Sequence, residues 1–330
     1  MTAAVTAELP QWSQYADGSW PTILIGNGLG INLWVGFRYA SLFEQADLPA
    51  EAQGIFTELG TTNFEAVLEC LYHAGVAQTA LHDDATRIDQ AYGQVQHSLF
   101  TAVARSHVPW GTLSFWHHNV IAASLNKHSA VFTTNYDLCL YWSRLETTAP
   151  VKFVDFLWTA DGVFDVTNVE VWDSTATAMY HLHGGLHLWQ DNMTGDSGKW
   201  LSESGNLLDL QPKYAARTSR QPLFVSEGTS SAKLRTIQRS PYLSFCRERL
   251  VSNDGNTVVF GHALARQDQH IIDALNAGPG RRMAVSVFPT GNANEVIGEK
   301  ARILNLLAKH EVVFFDSTTH PLGDPALHVS

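Results

Sequence analysis

Cysteine is scarce: 330 residues contain three, Cys70, Cys139 and Cys246, far apart and with no C-x-x-C pair. That excludes a disulfide framework and any four-cysteine zinc module built within one chain, and it fits a reducing, cytoplasmic compartment. Basic residues are also few, 21 Lys and Arg against 32 Asp and Glu, for a formal net charge of -11. With no basic surface to neutralise a run of phosphates, direct nucleic-acid binding is not expected. Long apolar runs are missing as well. No stretch reaches the roughly 18 apolar residues that cross a bilayer, and residues 1–20 lack the basic and apolar pattern of a leader, so neither membrane insertion nor export is expected. Internal repeats and low-complexity tracts are absent too.

What the chain does have is 45% hydrophobic residues, enough for one large core. Six short apolar runs read as strands: TILIG (22–26), AVFTTN (130–135), AMYHLH (178–183), TVVFG (257–261), MAVSVF (283–288) and EVVFF (311–315), with VKFVDFLW (151–158) and PLFV (222–225) as further candidates. Their near-continuous, β-branched character suggests burial on both faces, and their alternation with longer amphipathic stretches predicts an α/β fold with a mostly parallel sheet flanked by helices. Residues 1–20 read as an N-terminal extension and 21–330 as a single domain. A helical insertion over 62–128 opens on Thr62 and Glu65, which have capping-box spacing. The polar stretch Gln190–Gln221 shows no period and reads as a surface loop.

Four of the runs end in unusual chemistry: GNGLG (26–30), TTNYD (133–137), HLHGG (181–185) and GHALARQD (261–268). Ligands of open parallel sheets bind beyond the carboxyl ends of the strands, so these ends meet in one crevice if the strands are neighbours. Gly26, Gly28 and Gly30 would let a backbone approach a ligand and offer free amides to a phosphate, although G-x-G-x-G is one residue short of the dinucleotide fingerprint and equally describes a tight turn. Asn135 and Asp137 suit a site and also suit capping of the next helix. His181 and His183, two apart on a strand, are expected on one face. With His187 they offer metal-binding chemistry, but no carboxylate and histidine set at ligand spacing accompanies them, and no metal is expected.

As an ordered set these motifs resemble the sirtuin-like NAD-consuming family, in its bacterial, defence-type branch. GNGLGIN stands at the place of the family's glycine-rich turn, TTNYD at its T-Q/T-N-x-D motif and HLHGG at its H-G motif. GHALARQD is similar to its late G-x-S segment, which an aspartate follows. GFR (36–38) resembles the D-F-R of the sirtuin cofactor loop, and PLFVSEGTSSAKLRTIQRSPYL (222–243) resembles a segment of a bacterial sirtuin-like subfamily. The resemblance implies a Rossmann-like domain that cleaves NAD+ to nicotinamide and ADP-ribose without a metal. By it, Asn135 holds the ribose and the attacking water, Asp137 helps hold the nicotinamide carboxamide, and His183 is the base. Gly26, Asn27 and Gly28 cradle the pyrophosphate, Gly261 and His262 lie under the adenosine, and Thr133, Thr134, Gly184 and Asp268 complete the cofactor site. The same resemblance implies an antiviral effector. Because free destruction of NAD+ would harm its own cell, control is expected, and the helical block, whose apolar Phe64, Val67, Leu68 and Leu71 repeat at helical spacing, reads either as a plain subdomain closing over the cofactor or as a surface for other subunits of a homo-oligomer or a partner ATPase that gates the crevice. Three readings stand beside it: an NAD-dependent protein deacylase, which the missing cysteine set puts in doubt, a non-catalytic NAD or ADP-ribose sensor, and a metal-dependent hydrolase.

Overall fold

The structure, a computed structural model, describes residues 5–38, 42–171, 173–201, 207–209, 211–214, 219–225 and 229–330. Its ten strands in chain order are β1 (Thr22–Ile25), β2 (Ala130–Thr133), β3 (Phe153–Val154), β4 (Thr177–His181), β5 (Gly184–Asp191), β6 (Ser197–Lys199), β7 (Arg220–Phe224), β8 (Thr257–Phe260), β9 (Arg282–Val287) and β10 (Glu311–Asp316). Seven form a parallel sheet in the order β10-β9-β8-β1-β2-β4-β3. The helices are α1 (Gly28–Leu33), α2 (Leu42–Gln45), α3 (Ala50–Glu58), α4 (Phe64–Ala80), α5 (Thr86–Ser106), α6 (Phe115–Leu125), α7 (Cys139–Glu146), α8 (Ser230–Arg239), α9 (Pro241–Val251), α10 (Gln269–Ala277) and α11 (Ala293–Leu306).

Alternation along the buried strands divides the core in two. Ile23 and Ile25 of β1 and Val131 of β2 point to one face, where they pack with residues of α1 and α3 to α7. Leu24, Phe132 and Val259 point to the other, where they meet α8 to α11. Helices on both faces explain why each strand reads as an unbroken apolar run instead of an alternating one. The α/β class and the flanked parallel sheet are as the sequence predicts, and the fold is Rossmann-like.

Three local expectations need correction. Helix α4 starts at Phe64, and its cap is Asn63, whose Oδ1 accepts from the Ala66 N–H at 2.9 Å; Thr62 precedes the cap, and the side chain of Glu65 lies outside what the structure describes. An Asn beside a Thr competes for the same orphan amides, and here it wins. The stretch 190–221 is not simply a loop. The tail of β5, with β6 and the start of β7, forms a small antiparallel sheet in the order β6-β5-β7, while 202–206, 210 and 215–218 lie outside the described residues. PLFV therefore belongs to this second sheet, and of VKFVDFLW only Phe153–Val154 pairs as strand.

Candidate functional site

The strands with unusual ends, β8, β1, β2 and β4, are consecutive in the sheet. Between β8 and β2, at β1, the order of the chain reverses, the place where open α/β sheets hold ligands. A cavity of about 720 Å³ lies there. Of the residues singled out in the sequence, Gly26, Asn27, Gly28, Thr134, Asn135, Asp137, His183, Gly261, His262 and Asp268 line it. Thr133 and Gly184 do not. Thr133 is buried at the end of β2, where its Oγ1 accepts from the Asn135 N–H at 3.0 Å and so sets the turn that presents Asn135. Gly184 has φ +72°, and a Cβ on it would stand 2.1 Å from the Leu223 carbonyl oxygen, so it shapes the β4 to β5 turn behind His183.

The glycine-rich turn works differently from the expectation. The N–H of Gly26 donates to the Phe260 carbonyl at 2.9 Å and that of Gly28 to the Gly261 carbonyl at 2.8 Å, so neither amide is free for a phosphate. A Cβ on Gly26 would meet the His262 Cα at 2.5 Å and one on Gly28 the Gly261 Cα at 2.5 Å. These glycines bring the turns after β1 and β8 into backbone contact and make the cavity floor. Asn27 steadies the wall, its Nδ2 donating to the Phe37 carbonyl at 3.1 Å.

Asn135 is 6% exposed, and neither its Nδ2 nor its Oδ1 has a hydrogen-bond partner among the described residues. A buried amide left unpaired costs about 1–3 kcal/mol, which a bound ligand would recover. Asp137 is partly structural: its Oδ1 accepts from the Cys139 N–H at 2.8 Å at the start of α7. His262 Nδ1 accepts from the Leu264 N–H at 3.0 Å, while its Nε2 is buried without a partner among the described residues.

His183 and His181 part company. Strand β4 ends at His181, and the turn that follows breaks the two-residue alternation on which the single-face expectation rests. His181 packs edge-on against His187 with ring centroids 4.8 Å apart, away from the cavity. His183 faces the cavity, and its Nε2 lies 2.8 Å from His270 Nε2. Burial, then the nearby Lys233, holds the His183 pKa well below its ordinary value, so the ring is neutral at pH 7. Burial alone would raise the Asp268 carboxyl, but the neighbouring His183 and Lys233, the latter with Nζ 2.8 Å from Oδ1, favour its charged form and keep it below the usual range.

Several lining residues went unread in the sequence. Lys233 is only 6% exposed, and its position four residues before the buried Ile237 on α8 was the available signal. Glu44 and Thr62 close the cavity from the helical side beside Phe37 of the GFR segment, whose sequence resembles a cofactor loop, and Val225 and Gln267 lie at the rim, with 226–228 outside the described residues. Among the described residues, two groups have metal-ligating atoms within 4.8 Å of one another: His183, Asp268 and His270, and His107, Asp137 and Cys139. In the first, Lys233 donates to Asp268 Oδ1 at 2.8 Å and sets a positive charge beside any cation that would bind there. In the second, burial pushes the Cys139 thiol up, against the thiolate a metal prefers.

A doubly wound, Rossmann-like α/β domain with a polar crevice at its switch point is the class that fold and site define. Within it, the chain belongs to the family described as a domain of unknown function, DUF4917, whose model matches residues 23–322. No curated protein matches the chain.

Proposed function

We propose that this protein is an NAD+ glycohydrolase that releases nicotinamide and ADP-ribose. The observation that carries the reading is the unpaired, buried amide of Asn135 sharing a switch-point cavity with the neutral imidazole of His183. At about 720 Å³ the cavity is within the range of about 300–1,000 Å³ usual for small-molecule sites.

Breaking the bond between nicotinamide and ribose develops oxocarbenium character at the anomeric carbon, as glycoside hydrolysis does. The bonding pair leaves on the pyridine nitrogen, which becomes neutral, and water adds to the carbon. So reactive an electrophile needs only a weak base to take the water proton, and a histidine unprotonated at neutral pH serves. Asn135 would orient the ribose and the water, its amide supplying donor and acceptor at once. The glycine floor would admit the pyrophosphate by steric room more than by amide bonds, and the unpartnered Nε2 of His262 offers a contact toward the adenosine.

As an antiviral effector that destroys NAD+, the enzyme would need restraint. The helical side, reaching the cavity through Glu44 and Thr62, is where a second subunit or a partner ATPase would gate it. Incubating the purified chain with NAD+ and resolving products by chromatography tests the reading, with equimolar nicotinamide and ADP-ribose expected, unchanged by chelator. Binding without cleavage would favour the sensor, turnover that requires an acylated peptide the deacylase, and loss of turnover in chelator a metal-dependent hydrolase.

A further inference from the structure

His183 is not an isolated base. Its Nε2 is 2.8 Å from the Nε2 of His270, near the start of α10, and the two ring planes lie 29° apart with centroids 5.1 Å apart, a head-to-head arrangement that lets one ring donate to the other. The Nδ1 of His270 is in turn 3.0 Å from the Oγ of Ser230, the first residue of α8. That Oγ also accepts the backbone N–H of His270 at 2.9 Å. The chain His183, His270, Ser230 thus joins the turn after β4 to two helices, and nothing in the proposed reaction has so far used its last two members.

Hydrogen-bond polarity sets what such a chain can do. Two imidazole nitrogens 2.8 Å apart form a bond only if one carries the hydrogen and the other does not. Since His183 Nε2 is engaged by His270, the nitrogen left for a substrate is Nδ1, and a base must have that nitrogen bare. His183 then carries its hydrogen on Nε2 and donates it to His270 Nε2, and His270 carries its own on Nδ1 and donates it to Ser230 Oγ. Every bond in the chain is satisfied by this arrangement, with Ser230 Oγ accepting twice; the opposite polarity, Ser230 Oγ–H donating to His270 Nδ1 and His270 Nε2–H to His183 Nε2, satisfies the same bonds but leaves the hydrogen of His183 on Nδ1, where no base can act.

We propose that His270 is a positioning residue, held by Ser230, that fixes His183 in the Nε2–H tautomer and so presents Nδ1 as the base toward water. When Nδ1 takes the water proton, the positive charge formed on the ring is shared through the Nε2–H···Nε2 bond to His270. The proton leaves to solvent from Nδ1 after the products depart. This rests on the NAD+ glycohydrolase reading, which selects between the two polarities, but the tautomer itself is measurable in the resting protein.

The same nitrogens suit a transition metal, with Asp268 as third ligand. Lys233 Nζ, 2.8 Å from Asp268 Oδ1, places a positive charge beside that site, and the hydrogen-bonded reading is favoured.

Two measurements on the full chain decide the matter. In protein labelled with 15N-histidine, the ring nitrogens of His183 should show Nε2 protonated and Nδ1 bare at pH 7; the reverse tautomer, or one equivalent of zinc on the purified chain with both rings coordinated, overturns the proposal. In turnover, His270→Phe should lower kcat on the order of a hundredfold with little change in KM, and His270→Gln, whose carbonyl can accept from Nε2–H, should regain much of the loss. Unchanged kcat in the folded His270→Phe variant overturns it as well. If wild-type protein binds NAD+ without cleaving it, the glycohydrolase reading fails and the tautomer measurement alone decides this inference.

Discussion

Replacing Asn135 by alanine should inactivate the protein while making its free form no less stable, an unusual pairing for so buried a residue. The amide is 6% exposed with both polar atoms unpaired, so the free protein bears a desolvation penalty of about 1–3 kcal/mol for it. Truncation removes that penalty and leaves the backbone bond from Asn135 N–H to Thr133 Oγ1 in place. An unfolding entropy of roughly 2.1 cal/mol/K per residue over the chain gives about 0.7 kcal/mol per degree, so the gain corresponds to a Tm rise of about 1–4 °C, less whatever packing the side chain supplied. Ligand reverses the order. An uncleavable carbocyclic NAD+ analogue at a hundred times its Kd should stabilise the wild type by about 2.7 kcal/mol, or about 4 °C, and the variant far less. Scanning calorimetry with and without the analogue, alongside a nicotinamide-release assay, measures both halves. A Tm several degrees lower for the free variant would mean that the amide is already satisfied, and wild-type turnover would remove Asn135 from the chemistry.

His183→Ala should cost on the order of a hundredfold or more in turnover with the fold retained, whereas His181→Ala, outside the cavity, should keep most of the activity; the opposite result in the release assay would move the base to His181. Because burial first and Lys233 next depress the His183 pKa, the base stays unprotonated as pH falls, so the rate should hold from pH 8 to below 6.5 and drop only in more acid solution; a midpoint at the ordinary histidine value in the pH-rate profile would contradict the site. Gly184→Ala should destabilise by about 3 kcal/mol or more, read as a Tm fall of about 4 °C or more, since the residue has φ +72° and its Cβ would clash with the Leu223 carbonyl. Asp155 sits between Arg144 and Lys199, 4% exposed. Burial alone would raise its carboxyl, but those two cations hold it far below the usual range, so its contribution is full above the unfolded carboxylate value and is lost as pH falls through the folded one. Asp155→Asn should cost about 3–5 kcal/mol at pH 7 and flatten the loss of stability below pH 4, both measurable by denaturant titration.

The sheet was legible because its strands are buried on both faces: TILI, AVFT and TVVF carry the β-branched, unbroken apolar signature that only a doubly covered parallel sheet requires. The small antiparallel sheet was not. Its strand β6 is three residues, Ser197–Lys199, two of them buried through contacts the local sequence does not encode, and Gly198 is there because Trp189 lies across it, with a Cβ position 2.3 Å from the indole. A three-residue strand has no periodicity to read, so polar composition alone pointed to a loop. The cap of α4 failed for another reason. Thr62 and Asn63 are both good caps, and which one stops the helix depends on the tertiary seating of Phe64, buried against Phe56.

Strand ends were the informative part of the site, since a polar residue that abruptly terminates a buried strand lands on the sheet's edge whatever the loops do. In the sequence the ends meet only if the strands are neighbours; they are, and Asn135 and His183 line one cavity together with Asp268, which follows the end of β8 by a short turn. The glycines carried a weaker message. A glycine reports that something comes close, not what comes close, and at Gly26 and Gly28 the neighbour is the turn at Gly261 and His262. Side chains supplied from helices were unreadable for a reason rooted in period: Ser230, Lys233 and His270 reach the site from α8 and α10, and a polar residue on a helix normally signals a solvated face. What separates Lys233 and His270 from such residues is burial beside carboxylate or imidazole, a pairing across |i−j| of 35 and 87 that no local window can contain. On the proposed NAD+ glycohydrolase reading, a base whose ring is fixed by partners that distant would depend on the packing of α8 and α10 against the sheet, so apolar substitutions between those helices should lower nicotinamide release before they lower Tm.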